Sequence, residues 1–504
     1  MQQKVQYCVA ILAAIISAQL HADDWPQYAH NARRDATATS APADLSAPLW
    51  TASENTAGQP LLFEGPSSPV VFNGRAYANA RLYSGTSHES NKLVAFDLQT
   101  GEVLFETVIT RATFNSWSSP GVDVAHATVL IGSGNTVYAI DATSGEITWA
   151  TPLLRNIVNA SICVADGLEP GRAFITDFDG TGSSGSLYCL NTSAFDAVFN
   201  PYDPGDIVWR ETLGGTSGNT PAYLDGVVYV ASITRAGSSP AMGHVFAFDV
   251  LAPEPTRQLW ATPVNEGFFG GVTIAGGHVY AASYDLLGQQ NNSTLVKLRS
   301  SDGAIQWTAA CERTNSIPIV DGDMVYLAAG IPGFGSVPKV QAFLDTGTSA
   351  ALAWDTYADT TGTLVVGGWT HQPALADGVL YCGKIPTGGS SFGAYTDLYL
   401  LDVTLTPDDP DFVIDQLTGI GSSPAIGDGR LYSIGPGGLT AVAALGDFCG
   451  TDGVVNGRDV QCFVDALRSE NPTPAEIALG DFNSDSLLTV EDVPLFVETL
   501  VVTP

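Results

Sequence analysis

The sequence is poor in charge, and poorest in positive charge. Lys and Arg total 20 of 504 residues against 52 Asp and Glu, only 14% of residues are charged, and the formal net charge is -32. So few cations exclude a nucleic-acid partner, because phosphate recognition needs Lys and Arg to displace counterions. Long apolar runs are missing too. Apart from Tyr7 to Leu20, no stretch approaches the ~20 residues that cross a bilayer. There is no Cys-x-x-Cys-His segment, which argues against covalent haem, and no two cysteines are adjacent. Uninterrupted helix is scarce as well: 53 Gly and 29 Pro punctuate the chain too often for a coiled coil or a large helical protein. What is present is a 45% hydrophobic fraction, enough for a core, so the chain is no disordered acidic polymer. A turn-rich, acidic, globular β-protein remains.

Residues 1–22 read as a secretory signal. Lys4 supplies the positive start, Tyr7 to Leu20 the apolar stretch, and Leu20-His21-Ala22 a small residue before the acidic Asp23. The mature chain is therefore expected to be secreted, periplasmic or at the cell surface, with no membrane span. Setting aside Cys8, six cysteines remain, an even number suited to an oxidising compartment. Cys163 with Cys189, and Cys449 with Cys462, are close enough in sequence to pair, leaving Cys311 and Cys382.

A repeat dominates residues 23–446. One phrase runs Pro, two apolar residues, a turn with Gly, then an apolar stretch with Tyr, as in Pro69 to Tyr77. It returns at Pro221, Pro318, Pro373 and Pro424, without its Pro at Val272, and loosely at Pro120 and near Ser161. The steps from Pro69 to Pro424 give a period of about 51 residues. A second phrase follows each copy, clearest in Ala139-Ile-Asp141-Ala-Thr-Ser144-Gly145-Glu-Ile-Thr-Trp149. Its other copies end at Phe105, Trp209, Trp260, Trp307, Trp354 and near Phe412. Period-2 alternation marks strands with a buried face, the Gly supplies positive φ in a hairpin turn, and the aromatic is large enough to fill a wedge between units. Four short strands cannot bury both faces alone, so the units stack radially. The expected fold is all-β, an eight-bladed β-propeller of four-stranded blades, with seven blades as the competitor. The last copy lacks its aromatic strand, and Ala47-Pro-Leu-Trp50 at the other end is an orphan of that kind. Ring closure between residues 46–50 and 424–446 is therefore expected.

The motif Ala-x-Asp-x-x-Thr/Ser-Gly-x-x-x-Trp resembles the tryptophan-docking repeat of pyrroloquinoline-quinone (PQQ) propellers, and Asp24-Trp25-Pro26-Gln27-Tyr28 is similar to the start of secreted members. That family holds quinoprotein alcohol dehydrogenases as well as non-enzymatic propellers. The resemblance implies the fold over residues 24–446 and leaves activity open, because the repeat is a packing motif.

Residues 447–504 form a second module with 11 acids and 2 bases. Asp481, Asn483, Asp485, Thr489 and Asp492 stand at positions 1, 3, 5, 9 and 12 of a calcium-type loop, where oxygens alternate inward around a hard cation. An earlier copy offers Asp447, Asp452, Asn456 and Asp459, with one extra residue and Cys449 in place of an oxygen. Val460, Phe463, Val464 and Leu467 form an apolar helix face after it, matched by Val493, Phe496, Val497 and Leu500 at a shift of 33. The paired loop-helix units resemble type I dockerins. That implies a small helical calcium domain, a cohesin-like partner and attachment to an extracellular assembly, and it keeps a component of polysaccharide degradation in view. Loop positions 10 and 11, Gly457 with Arg458 and Val490 with Glu491, depart from the usual Ser/Thr pair.

Catalytic signals are thin. The dehydrogenase branch of the PQQ family implies a vicinal cysteine pair, a catalytic Asp and Glu/Asn calcium ligands. Asp177, Asn219 and Glu266 are candidates that no motif selects. Gly389-Ser-Ser391-Phe-Gly393 matches a nucleophile-elbow pattern outside the strand-to-helix setting it needs. His126, His244, His278 and His371 form no ligand pair, and Trp117 and Trp369 fall outside the repeat positions, in the channel or on a loop. The function read from the sequence is an exported, non-catalytic protein that binds protein or polysaccharide on a propeller face, with a calcium module for attachment. The alternative is a PQQ-dependent alcohol or sugar dehydrogenase.

Overall fold

In the computed structural model the described residues are 24–63, 65–84, 86–235, 242–284, 292–333, 335–386, 393, 395–449 and 453–502. The proposed signal at 1–22, the candidate ligand Asp452 and most of the Gly389–Gly393 pattern lie outside them.

Eight sheets form the ring, antiparallel throughout except where Thr37–Ala38 adds parallel to Ala374–Ala376 in blade 7. Blade 1 holds Val70–Phe72, Arg75–Ser84, Ser87–Asp97 and Val103–Ile109, with Leu62–Phe63 added beside Arg75–Ser84. Blade 2 holds Gly121–Asp123, Thr128–Ser133, Thr136–Asp141 and Ile147–Pro152. Blades 3 to 7 occupy 163–214, 222–264, 272–311, 319–355 and 374–418. Blade 8 takes three strands from 425–443, and its fourth is Ala47–Ala52, antiparallel to Gly438–Ala443. The orphan strand thus closes the ring, and no edge is left open at the seam.

The aromatic repeat locks each blade onto the next. In every blade the outermost strand pair carries a register shift at the same place. Such a bulge adds local twist and re-aims a side chain. At four of the seams, Trp50, Phe105, Trp149 and Trp260, the aromatic beside it lies over the turn glycine of the following blade. A Cβ on Gly101 would come within 2.5 Å of the Trp50 ring, and one on Gly145 within 2.5 Å of Phe105. Trp209 Nε1 donates to the Val250 carbonyl at 2.9 Å, and Trp260 Nε1 to that of Ser300 at 2.9 Å. Phe412 does not fill this role in blade 7. Asp415 pairs with Leu400 as Trp149 pairs with Ala139, and it accepts the Leu45 N–H at 2.7 Å. At the seam where the N-terminal strand enters, a carboxylate receives that strand in place of a ring. Phe412 packs instead edge-on against Trp354 of blade 6, 5.5 Å between centroids.

Two further devices sit at the ring centre. Ser and Thr before the repeat's Pro form a buried belt. Ser68 N–H donates to Ser119 Oγ at 2.9 Å, Ser119 N–H to Ser161 Oγ at 3.0 Å, and Ser161 N–H to Thr220 Oγ1 at 3.1 Å. Across the seam, Gln372 N–H donates to Ser423 Oγ at 3.0 Å, and Ser423 Oγ donates to the Pro66 carbonyl at 2.9 Å. The N-terminal segment then runs round one end of the channel. It bonds to Val71, Val122, Val164, Tyr223, Ile274 and Leu375, from six different blades. Arg34, fully buried, donates to the carbonyls of Tyr28 (2.6 Å), Ile162 (2.8 Å) and Pro221 (3.0 Å).

The expected Cys163–Cys189 disulfide is absent. Both thiols are free and buried, as are Cys311 and Cys382. Cys163 and Cys189 face Phe174 from either side on a three-strand register, so a whole strand separates them, about 10 Å against a disulfide's limit of ~7 Å. Cys449 and Cys462 are bonded.

The C-terminal module has helices at Asp459–Leu467, Pro474–Gly480 and Val493–Val502. Phe463 stacks on Phe496 at 4.0 Å, flanked by Phe448 and Phe482, one ring pair from each half. The module packs on the ring through Leu479, which joins the core cluster of Leu45, Ala47 and Leu49. Among the described residues no helix is long and apolar enough to cross a membrane.

Candidate functional site: the open end of the channel

The loops that lead into the innermost strands carry residues with no place in the repeat. Trp117 comes before blade 2, Asn159 before blade 3, Ser217 before blade 4, Phe269 before blade 5, Asn315 before blade 6 and Trp369 before blade 7. With Phe114, Phe178, Thr181 and Tyr284 they line a cavity of about 420 Å³. The size falls within the ~300–1,000 Å³ typical of small-molecule sites. Trp117 meets Trp369 edge-on at 5.9 Å, Trp369 meets Tyr284 at 5.6 Å, and Tyr284 meets Phe269 at 5.2 Å. These four rings are buried and form the floor; Phe114 is 74% exposed and stands at the rim, edge-on to Phe178 at 5.7 Å. The pocket therefore lies at the end of the channel away from the N-terminal segment. Sequence reasoning singled out only Trp117 and Trp369, because the other residues come from seven loops with no shared spacing.

The dehydrogenase candidates do not converge on this cavity. Asp177, fully buried, accepts from Ser186 N–H at 2.7 Å and from the Tyr188 hydroxyl at 2.8 Å. Burial raises the Asp177 pKa. Asn219 donates to the carbonyls of Ala231 and Phe268 at 2.8 and 2.7 Å and accepts from Ser217 N–H. Glu266 accepts the Ser283 hydroxyl at 2.5 Å. All three tie blades and loops together. The four histidines are dispersed as well. His126 pairs with Asp123, His244 with Thr234, and His278 with the Gly276 carbonyl. His371 is fully buried and accepts Gly383 N–H on Nε2 at 2.8 Å; burial pushes its pKa down to about 3. PQQ is a polycarboxylate, and among the described residues the cavity's lining carries no cation to receive it. The described residues do not fit that cofactor.

In the second calcium-type loop, both Asp481 oxygens accept backbone N–H groups, from Asp485 at 2.9 Å and Ser486 at 2.7 Å. Buried Asp492 accepts from Asn483 N–H at 3.2 Å and Thr489 N–H at 2.8 Å. Asn483 exchanges two bonds with Asp485. Ser486, at the sixth position, takes φ 66°, the left-handed conformation this turn requires and glycine normally supplies. The first loop repeats the pattern. Buried Asp459 accepts from Cys449 N–H at 2.7 Å and Asn456 N–H at 2.8 Å, and Asp447 accepts from Gly453 N–H at 3.0 Å. The donor set is all oxygen, as calcium prefers. Among the described residues, however, no three His, Cys, Asp or Glu side chains are grouped as metal ligands. The loop carboxylates are engaged with their own backbone.

Comparison with known proteins adds a family. The family model described as outer membrane protein assembly factor BamB matches residues 30–168, 133–252 and 241–388. The curated outer membrane protein assembly factor BamB of Salmonella typhimurium is 29% identical over 170 residues, covering 30% of this chain and 38% of that protein. Its Escherichia coli counterpart gives the same identity and coverage. The chain thus spans well under half the length of these relatives. Among solved structures, a europium-containing methanol dehydrogenase superposes with TM-score 0.55 at 10% identity, covering 89% of this chain and 97% of that one. A quinohemoprotein alcohol dehydrogenase from Pseudomonas putida HK5 gives 0.54 at 12%, covering 88% and 79%. At such identities the likeness is one of fold alone.

Proposed function

We propose, for a chain that belongs to the BamB family of propeller proteins, an exported, non-catalytic binding role. The propeller would present its open channel end to a protein or carbohydrate, and the C-terminal module would attach the molecule to an extracellular assembly. The observation that carries this reading is the commitment of Asp177, Asn219 and Glu266 to structural hydrogen bonds, with none of them lining a cavity whose described residues bear no charge. The family membership supports it, since the matched relatives are named as assembly factors. The calcium-loop spacing of oxygen donors in the second loop supports calcium held by Asp481, Asn483, Asp485, Thr489 and Asp492. In the first loop Asp447, Asn456 and Asp459 would serve, with Asp452. A cohesin-like partner for that module remains part of the proposal.

A second reading, a PQQ-dependent alcohol or sugar dehydrogenase, draws on the aromatic floor on the channel axis. Titration of purified mature protein with PQQ and calcium separates the two. The binding reading expects no quinone absorbance on the re-isolated protein and no dye-linked oxidation of alcohols or sugars. Stoichiometric PQQ with such turnover would overturn it.

A further inference from the structure

We infer that the channel-end cavity is a subsite for one ring of a neutral glycan. The inference rests on the binding reading above and names its ligand class. Three observations carry it.

The described lining residues are aromatic or uncharged, in a protein of net charge -32. The negative face of an aromatic ring attracts positively polarised C–H bonds, such as those that cover one face of a pyranose. Trp117, Trp369, Tyr284 and Phe269 supply aromatic surface at depth, and Phe114 with Phe178 supplies it at the rim. A quaternary ammonium would favour a cage with a carboxylate, and an anionic ligand would need a cation; neither group stands among the described residues that line the cavity.

The polar groups suit hydroxyls. Asn159 and Asn315 are amides, each both donor and acceptor, as a sugar hydroxyl is. Asn315 is only 7% exposed, and its amide Oδ1 has no hydrogen-bond partner; Asn159 Oδ1 has none either. A buried amide oxygen left unpaired costs about 1–3 kcal/mol, so both amides keep unused acceptor capacity beside the cavity. Ser217 and Thr181 add hydroxyl-bearing side chains to the same lining.

The rim is held in an uncommon conformation. Phe114 has φ 55°, and Asn159 φ 65°. Such backbone costs ~1–3 kcal/mol in a non-glycine residue and collects at ligand sites. In Phe114 it holds an exposed ring up at the mouth of the cavity, where burial gives it no packing reward.

The test uses the full mature chain. Its tryptophan fluorescence, with Trp117 and Trp369 as reporters, is titrated with neutral tetra- to hexasaccharides of the cello, xylo, manno and malto series. PQQ and an aromatic-rich peptide run in parallel. A saturable change with at least one neutral saccharide is expected. Phe114→Ala should weaken it about tenfold, the loss of one stacked ring, with an unchanged melting temperature because Phe114 is exposed. Asn315→Asp, which puts a charge into the cavity, should abolish it; if that variant melts early, Phe178→Ala serves as the second variant and should also weaken binding. Failure of every saccharide at millimolar concentration overturns the glycan inference and leaves the binding reading standing. Wild-type affinity in Phe114→Ala, or saturable binding of the peptide alone, overturns it equally. PQQ binding with turnover overturns both.

Discussion

At the scale of single residues, the repeat's glycines do two jobs at once. Gly145 and Gly303 take φ 75° and 70°, and a Cβ on either would stand within 2.6 Å of the preceding blade's aromatic ring. Gly322 has φ 58° but nothing within 4 Å. Gly145→Ala and Gly303→Ala should therefore lose about 2–4 kcal/mol, combining backbone strain and overpacking, while Gly322→Ala should lose only about 1 kcal/mol. Urea denaturation midpoints check the difference. His371 sets a pH dependence. It is neutral when folded, with a pKa near 3, while the unfolded chain protonates near the ordinary 6.5. Its contribution is complete above that value and is lost as pH falls from 6.5 towards 3, at up to about 1.4 kcal/mol per pH unit. Melting curves at pH 7 and pH 4.5 should differ less in His371→Gln than in the parent.

At the scale of elements, the outermost strand pairs show how an irregularity can be the repeating unit. All eight carry the bulge, seven place an aromatic beside it, and the eighth places Asp415 where the entering N-terminal strand needs an acceptor. Alternation and turn signals made the strands, the blade count and the closing strand legible in advance. The bulge was hidden, because it shifts register without changing composition. Phe412 was mistaken for the docking ring for the same reason. The tail's two loops were legible from oxygen spacing, and their matching Asp459 and Asp492 anchors became visible only in the hydrogen bonds. Calcium is expected to raise the tail's unfolding midpoint, and Asp485→Ala to remove that rise, since Asp485 is exposed and otherwise bonds only within its loop. Calorimetry with calcium and with chelator measures both.

At the scale of the whole molecule, the ring is held from its centre as well as its rim. The N-terminal segment bonds to six blades, and Arg34 joins the carbonyls of three separate segments. Arg34→Met keeps the volume but leaves three buried carbonyls short of a donor, so a loss of about 3 kcal/mol or more is expected, read as a lower melting temperature of the whole ring. The all-β class of the ring, its eight units and their order can be read from the chain alone. Those follow from period-2 alternation, turn chemistry and a repeat that local physics forces wherever it recurs. The tertiary contacts alone place residues 25–36 along one end of the channel and bring Trp117, Asn159, Asn315 and Trp369 together at the other. Those residues stand on separate loops, up to 252 positions apart. No local rule relates them, and they meet because radial stacking brings every inter-blade loop to the same axis.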